Sequence, residues 1–405
     1  MPKLPADHSP KVKLPFEVWA LVAGGFTVAL GYGVVAPAIP QFALEFNVSA
    51  FAASAIVSAF ALMRLVGAPL AGWIVGKFGE RATYTTGLLV VAASTGAAAF
   101  ALNYPQFLVL RGLGGLGSAM FSVAATALLV EASPPRGRAR VASINAASFL
   151  LGGLLGPVLG GIVASYGLRA PFIFYFFTLV AAAIVVTIAL RSKHALPQVA
   201  PGSRPVGDEI SLREALSMPT FRMLLFSAFS FGWTSFGVRV SLIPIFIAVV
   251  FSGDATTAAW VLAAYAAGNA IFIFPSGRWS DTIGRAPLLI TGFVVLAVAF
   301  AAFPFSGSLP IAMAVMVLAG AGSALANPGH QAVLADVMGK RRGGMVVSTY
   351  SMATDLGGVL GPLVAGAIVD FAGFGWAFGA TAALLCAAAL AWVGTAKQTA
   401  ALSRA

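Results

Sequence analysis

Twelve runs of about 20 apolar residues, separated by short polar loops, leave this chain few folds to adopt. They are Val18–Ile39, Phe51–Val75, Ala82–Leu102, Phe107–Leu129, Val141–Ala164 and Pro171–Leu190, then Phe221–Val250, Ala258–Gly277, Pro287–Phe303, Ile311–Leu334, Met345–Val369 and Trp376–Val393. A run of that length matches the hydrocarbon thickness of a bilayer when helical. Only 9% of the 405 residues are charged and 59% are hydrophobic, against about 25% charged in a soluble domain. The expectation is an all-α polytopic membrane protein with twelve transmembrane helices, its partner the lipid bilayer.

Charge orients the spans. The net charge is +11, but the basic residues fall in short loops between apolar runs, so no nucleic-acid partner is implied. With both termini in the cytoplasm, 20 of the 24 Lys and Arg lie on that side, and Arg169 alone lies in an outer loop. Arg64, Arg111 and Arg239 lie within spans. That imbalance places both termini inside and favours an even number of spans, in a bacterial inner (plasma) membrane. The first run is too long for a signal-peptide core and reads as a span. Cys386, the one cysteine, sits in an apolar segment. No disulfide framework, metal site or cofactor is expected. Nucleotide-binding, HExxH and Ser-His-Asp patterns are not found, which argues against an enzyme or a self-powered pump. A filter-like loop or ring of charge, as in channels, is not visible either.

The chain reads as built twice. LGGLLGPVLGG (Leu151–Gly161) returns as LGGVLGPLVAG (Leu356–Gly366), 205 positions later. At the same offset Gly72 meets Gly277, Gly79 meets Gly284, Gly115 meets Gly320 and Arg136 meets Arg341. Gly152, Gly156 and Gly160 share one helical face, as do Gly357 and Gly361 with Ala365; small residues at this spacing let membrane helices meet backbone to backbone. Pro157 and Pro362 weaken the ladder at matched points. The expected division is a six-helix half over 1–190, a cytoplasmic linker over 191–220, and a second six-helix half over 221–405. These are parallel repeats about an axis along the membrane normal, with a site between them. The linker is rich in Pro and Gly and ends in SLRE (Ser211–Glu214), a capping-box pattern that predicts a short amphipathic helix; a plain linker is the alternative.

Over essentially its whole length the chain resembles the major facilitator superfamily. GWIVGKFGER (Gly72–Arg81) and GRWSDTIGRA (Gly277–Ala286) resemble the motif after spans two and eight. RGLGGLGSA (Arg111–Ala119) resembles the span-four motif, GGLLGPVLGG the span-five antiporter motif, and LGYGVVAPAIP (Leu30–Pro40) the first-span motif of twelve-helix drug/proton antiporters. Gly76 stands where the loop motif has aspartate, which Asp281 keeps in the second copy; Lys77 and Thr282 replace the neighbouring arginine. The resemblance implies a secondary transporter working by alternating access. Its gates would include Gly72, Lys77, Gly79, Arg81, Gly277, Asp281, Gly284 and Arg285. It also implies a proton-coupling role for Arg111.

Ionisable groups inside spans are costly and mark candidate pathways. They are Arg64, Arg111, Arg239 and Asp355, with His330 toward the inner end of span ten. Their repeat partners are Asn269, Met316, Val35 and Leu150 for the four charges: the glycine and proline scaffold is duplicated, the charges are not. Asp355 either loads a proton or makes a static ion pair with Arg64 or Arg111. Arg111 is either functional or a side chain snorkelling to the outer interface. Arg64 and Arg239 bind an anionic group or tie helices together. His330 relays protons or packs. Phe26, Tyr32, Phe229, Trp233 and Phe236 are candidate cavity walls. Two substrate readings stand: proton-coupled efflux of hydrophobic or amphipathic small molecules by a monomer, or transport of a small organic anion or sugar-like metabolite. A sensor of the same fold is a third.

Overall fold

The computed structural model describes residues 14–134, 138–190, 210–339, 341 and 343–402. Arg136, the basic N-terminus and the 191–209 part of the linker lie outside them, as does the Asp281 side chain.

The described chain is helical throughout, in antiparallel hairpins. The first span is α1 (Phe16–Val35) continued by α2 (Ala38–Leu44), broken at Ala36 and Pro37. Then come α3 (Ala50–Phe78), α4 (Glu80–Ala98), α5 (Tyr104–Ala132), α6 (Arg138–Ala164) and α7 (Ala170–Leu190). A short α8 (Leu212–Ser217) precedes the seventh span, which is α9 (Pro219–Phe231), a π-helical stretch (Gly232–Val238) and α10 (Arg239–Val250). The last five are α11 (Ala255–Thr282), α12 (Arg285–Ala302), α13 (Leu309–Met338), α14 (Gly344–Ala372) and α15 (Phe374–Leu402). The described chain therefore begins and ends on one face, called here the terminal face; the opposite face is the distal face.

Among the described residues, eleven spans are long and apolar enough to cross a bilayer by length and composition. The twelfth expected span, α4, falls short. It opens on Glu80 and Arg81 and carries Thr83, Thr85, Thr86, Ser94 and Thr95. It packs along α5 and α7, so much of its polar side is covered by protein rather than lipid.

The sequence repeat is also a backbone repeat. Gly79 and Gly284 end α3 and α11 at φ +82° and +102°, a region nearly closed to other residues. Asn47 and Ser252, 205 positions apart, both adopt φ just above +50° in distal loops. Ser49 and Asp254 then cap α3 and α11 through Ala52 and Thr257. Ser211 caps α8 by accepting the Glu214 N–H at 3.1 Å, and Glu214 pairs with Arg341 at 2.7 Å.

Two apolar cores result. One is drawn from residues between Ile210 and Trp392. The other lies between Val18 and Leu190, joined by Val240, Ile245 and Ala255. The duplicated glycine faces close each bundle on itself. A Cβ on Gly152 would meet the Phe26 carbonyl at 2.7 Å, and one on Gly160 the Val34 carbonyl at 2.9 Å, both on the first span. Gly357 and Gly361 sit likewise against Phe229 and Trp233 of the seventh span. The next glycine around each helix faces the other bundle: Gly161 meets Trp260 of α11, and Gly366 meets Phe51 of α3.

Candidate functional site

The in-span charges and polar groups sort into those that reach the space between the bundles and those that do not. A cavity of about 380 Å³ lies there, within the range of small-molecule sites. From the first bundle come Arg64 and Ala68 of α3 and Ala119, Ser122 and Val123 of α5. The second supplies Phe231 and Phe236 of the seventh span, Asn327 and Gln331 of α13, and Tyr350, Ser351, Thr354 and Asp355 of α14. On α3, α5, α13 and α14 these residues lie from the helix middle toward the terminal face. Toward the distal face the bundles touch instead. Gln41 of α2 donates to the Pro244 carbonyl at 3.1 Å, and Asp370 of α14 accepts from the first N–H groups of α3. The molecule is thus closed at the distal face, with its cavity on the terminal side.

One ion pair spans the cavity wall: Arg64 Nη2 donates to Asp355 Oδ1. Both side chains stay partly exposed, at 42% and 24%, so solvent or a ligand in the cavity can reach the pair. The alternative partner for Asp355, Arg111, is elsewhere. Arg111 is buried, with its guanidinium over the Phe60 ring at 4.6 Å and its Nε without a hydrogen-bond partner. It does not snorkel. Arg239 donates its Nε to the Ser235 carbonyl at 2.9 Å and lies over the Tyr265 ring at 4.2 Å. His330 is fully buried one layer behind the wall. Its Nε2 lies 3.0 Å from Ser227 Oγ, and its ring packs on Phe231, Phe293 and Tyr350.

The described contacts of Lys77, Arg81 and Arg285 lie within their own bundles. Lys77 lies over Trp73 and Phe78, Arg81 donates to the Leu190 carbonyl at 2.8 Å, and Arg285 pairs with Asp336 and donates to the Ala332 carbonyl at 2.8 Å. Gly72 and Gly277 have open space where a Cβ would stand. A larger hollow, about 540 Å³, is lined by Arg81, Thr85, Thr86, Thr187 and Leu190. It is a groove between α4 and α7 at the terminal face, with Arg81 and Thr86 exposed, and it touches no in-span charge, so the inter-bundle cavity is the better site despite its smaller volume.

Of the five aromatic candidates only Phe236 lines the cavity. Trp233 turns its Nε1 to Thr381 at 3.2 Å inside the second bundle. Tyr350, Ser122, Gln331, Ser351 and Thr354 were not singled out in the sequence. A signal existed: Asn327 with Gln331, and Ser351 with Asp355, are polar pairs four apart inside apolar helices, which places each pair on one face.

This geometry defines a class: a polytopic helical membrane protein with a solute-sized cavity between two repeated bundles. The family model of the Major Facilitator Superfamily matches residues 21–251 and 224–404; the chain belongs to that superfamily. It is 26% identical over 357 residues to multidrug resistance protein 1 of Bacillus subtilis (strain 168), covering 86% of this chain and 89% of that one. It is 24% identical over 360 residues to the quinolone resistance protein NorA of Staphylococcus aureus (strain MRSA252), covering 87% and 90%. Among solved structures, it superposes on a bacterial homolog of the human lysosomal transporter Spinster, in an inward-facing unoccupied conformation, with TM-score 0.73, 19% identity and 96% of both chains covered. A D-xylose-proton symporter gives TM-score 0.72 at 16% identity, covering 93% and 96%. The chain is a transporter of the superfamily and not an enzyme.

Proposed function

We propose that the protein exports small hydrophobic or amphipathic compounds in exchange for protons, by alternating access of the inter-bundle cavity. The observation that carries this is the wall itself: aromatic and neutral polar side chains around one carboxylate, Asp355, whose counter-charge Arg64 belongs to the other bundle. A proton on Asp355 removes one charge of the pair and loosens a tie between the bundles. A carboxylate in a largely apolar wall also suits a lipophilic compound bearing positive charge. The drug-resistance relatives support the same reading.

In this scheme residues 1–190 and 221–405 rock as two units, and 191–220 links them. The terminal face, which carries the basic loops, is cytoplasmic. The loops with Lys77, Arg81 and Arg285 close that face in the other state. The organic-anion reading draws less support. Of the three in-span arginines only Arg64 reaches the cavity; Arg111 and Arg239 lie on aromatic rings of their own bundles.

The test is proton flux in proteoliposomes against a panel of lipophilic cations, neutral amphiphiles and organic anions. Counterflow of protons with cations and neutral amphiphiles is expected. Asp355→Asn should abolish gradient-driven accumulation. Unchanged proton-coupled flux in that variant removes Asp355 from the mechanism, competition by anions alone overturns the substrate class, and binding without flux of any solute favours a sensor.

A further inference from the structure

We propose that Asp370 is the latch that holds the distal face closed, and that the crossing of α14 over α3 sets which face of the protein is open. At the N-terminus of α3 the first N–H groups have no partner within the helix. The Ala50 N–H donates to Asp370 Oδ1 at 3.0 Å and the Phe51 N–H to Asp370 Oδ2 at 3.1 Å. Ser49 Oγ takes the Ala52 N–H at 3.3 Å. Two of the three groups are therefore satisfied by the other bundle, by a carboxylate at the positive end of the helix dipole, where such bonds are strongest.

The same two helices are tied twice more. Ser58 Oγ donates to the Val359 carbonyl at 2.7 Å, and Arg64 donates to Asp355. At all three levels α3 supplies the donor and α14 the acceptor. Gly366, one turn before Asp370, allows the approach: a Cβ there would meet Phe51 Cα at 3.0 Å and the Ala50 carbonyl at 3.1 Å.

The repeat supplies the control. The mirrored crossing is α6 over α11, and 205 positions from Asp370, Val359, Asp355, Ser58 and Arg64 stand Ser165, Leu154, Leu150, Ala263 and Asn269. Ser165 donates to the Ile162 carbonyl of its own helix at 2.7 Å. Asp254, at the place of Ser49, caps its own helix through Thr257 at 2.8 Å. At its distal end one crossing is latched by a carboxylate, and the other packs Gly161 on the Trp260 ring. Opening the distal face breaks the Asp370 bonds to α3, whereas the matching distal end of α6 parts Gly161 from the Trp260 ring. The inference concerns the balance between states and does not depend on the cargo or the coupling ion.

The experiment uses the full chain with Cys386→Ser, and spin labels on Leu102→Cys and Phe305→Cys, exposed distal positions of the first and second bundles. Pulsed electron resonance in lipid nanodiscs reads the distance between them. The starting protein should show mainly the closed distance. Asp370→Ala should raise the ratio of open to closed distal faces about tenfold, the loss expected for charge-assisted bonds. Asp370→Asn keeps the shape and one acceptor oxygen, so it should open partway, and Asp370→Glu should restore closure. A starting-protein distance distribution in Asp370→Asn overturns the proposal, whether or not the alanine variant folds. Opening that glutamate does not reverse overturns it as well, because packing rather than the carboxylate would then be responsible.

Discussion

Adding one methyl group to Gly156 should unfold this protein sooner, while the same change three residues earlier should not. A Cβ on Gly156 would stand 2.6 Å from Gly33 Cα, 2.7 Å from the Leu30 carbonyl and 3.0 Å from the Gly33 carbonyl carbon. Ordinary carbon contacts lie at about 3.5–4.0 Å, so the shortfall is about 1 Å against backbone that has no rotamer to change. The clash is reciprocal, since a Cβ on Gly33 would meet Gly156 Cα at 2.8 Å. Relief requires α1 and α6 to separate, which also opens the contacts at Gly152 and Gly160 on the same seam. Overpacking of this kind costs about 1–3 kcal/mol. Gly153 has nothing within 4 Å of a Cβ, and alanine there gains helix propensity of up to about 1 kcal/mol. Thermal unfolding of the full chain in detergent, at one scan rate because such transitions are often irreversible, compares Gly156→Ala with Gly153→Ala. The first should melt several degrees below the parent and the second at or above it. If the two melt together, the close approach of α1 and α6 is not what these glycines provide.

Arg64 and Asp355, both partly exposed, should couple by about 1 kcal/mol or less in a double-mutant cycle with Gln and Asn, read by chemical unfolding; a coupling several times larger would mean the pair is shielded from solvent. His330→Ala should destabilise the second bundle by about 3 kcal/mol through the cavity left among Phe231, Phe293 and Tyr350. His330→Phe combined with Ser227→Ala should keep transport, measured as efflux, and loss of proton coupling there would restore the histidine to the pathway. Asp254 lies in a distal loop. Burial raises its pKa, but bonds from the Thr257 N–H and the Thr257 hydroxyl outweigh this and hold it below the ordinary aspartate value. A depressed folded-state value gives stability that is present above the unfolded pKa of about 3.9 and lost as pH falls through the folded value. Hydrogen exchange at the start of α11 should therefore stay protected across neutral and mildly acidic pH, whereas Asp254→Ala should lose that protection at every pH.

How much of this was legible in the chain follows from which physical constraint wrote each feature. The bilayer demands long apolar helices, so the spans stand out in the sequence, and α4 is weak because its threonines answer to α5 and α7 rather than to lipid. Close packing demands small residues at helical spacing, so the Gly152–Gly160 face is visible too. Its partner is not, because nothing in a glycine says which helix it meets; here the stripes seat on the first and seventh spans of their own bundles. The in-span charges are conspicuous because they are rare. Their use depends on how each helix is rotated, and rotation turned Arg111 and Arg239 onto aromatic rings while bringing Arg64 to Asp355. Neutral polar lining such as Gln331 and Ser351 was overlooked because it is cheap in a membrane helix and raises no alarm alone.

Asp370 escaped notice for a related reason. At a span end a carboxylate costs little, so it reads as solvated. The comparison that exposes it is between copies: Asp370 against Ser165, Asp355 against Leu150, Arg64 against Asn269. All three departures fall on one pair of helices, α3 and α14. A scaffold repeated twice about an axis along the membrane normal gives two nearly equal crossings, and equal crossings would share the work of parting at the distal face. Asp370 bonds the distal end of one of them and makes the two distal ends unequal. The asymmetry in the sequence thus becomes an asymmetry in the work of opening, and substituting Ser165→Asp should test it. That carboxylate would stand at the repeat position of Asp370, and the start of α11 stands at the repeat position of the start of α3. Distal opening, read by the same label pair, should become rarer than in the parent, and an unchanged distribution would mean that the two crossings do not share the load.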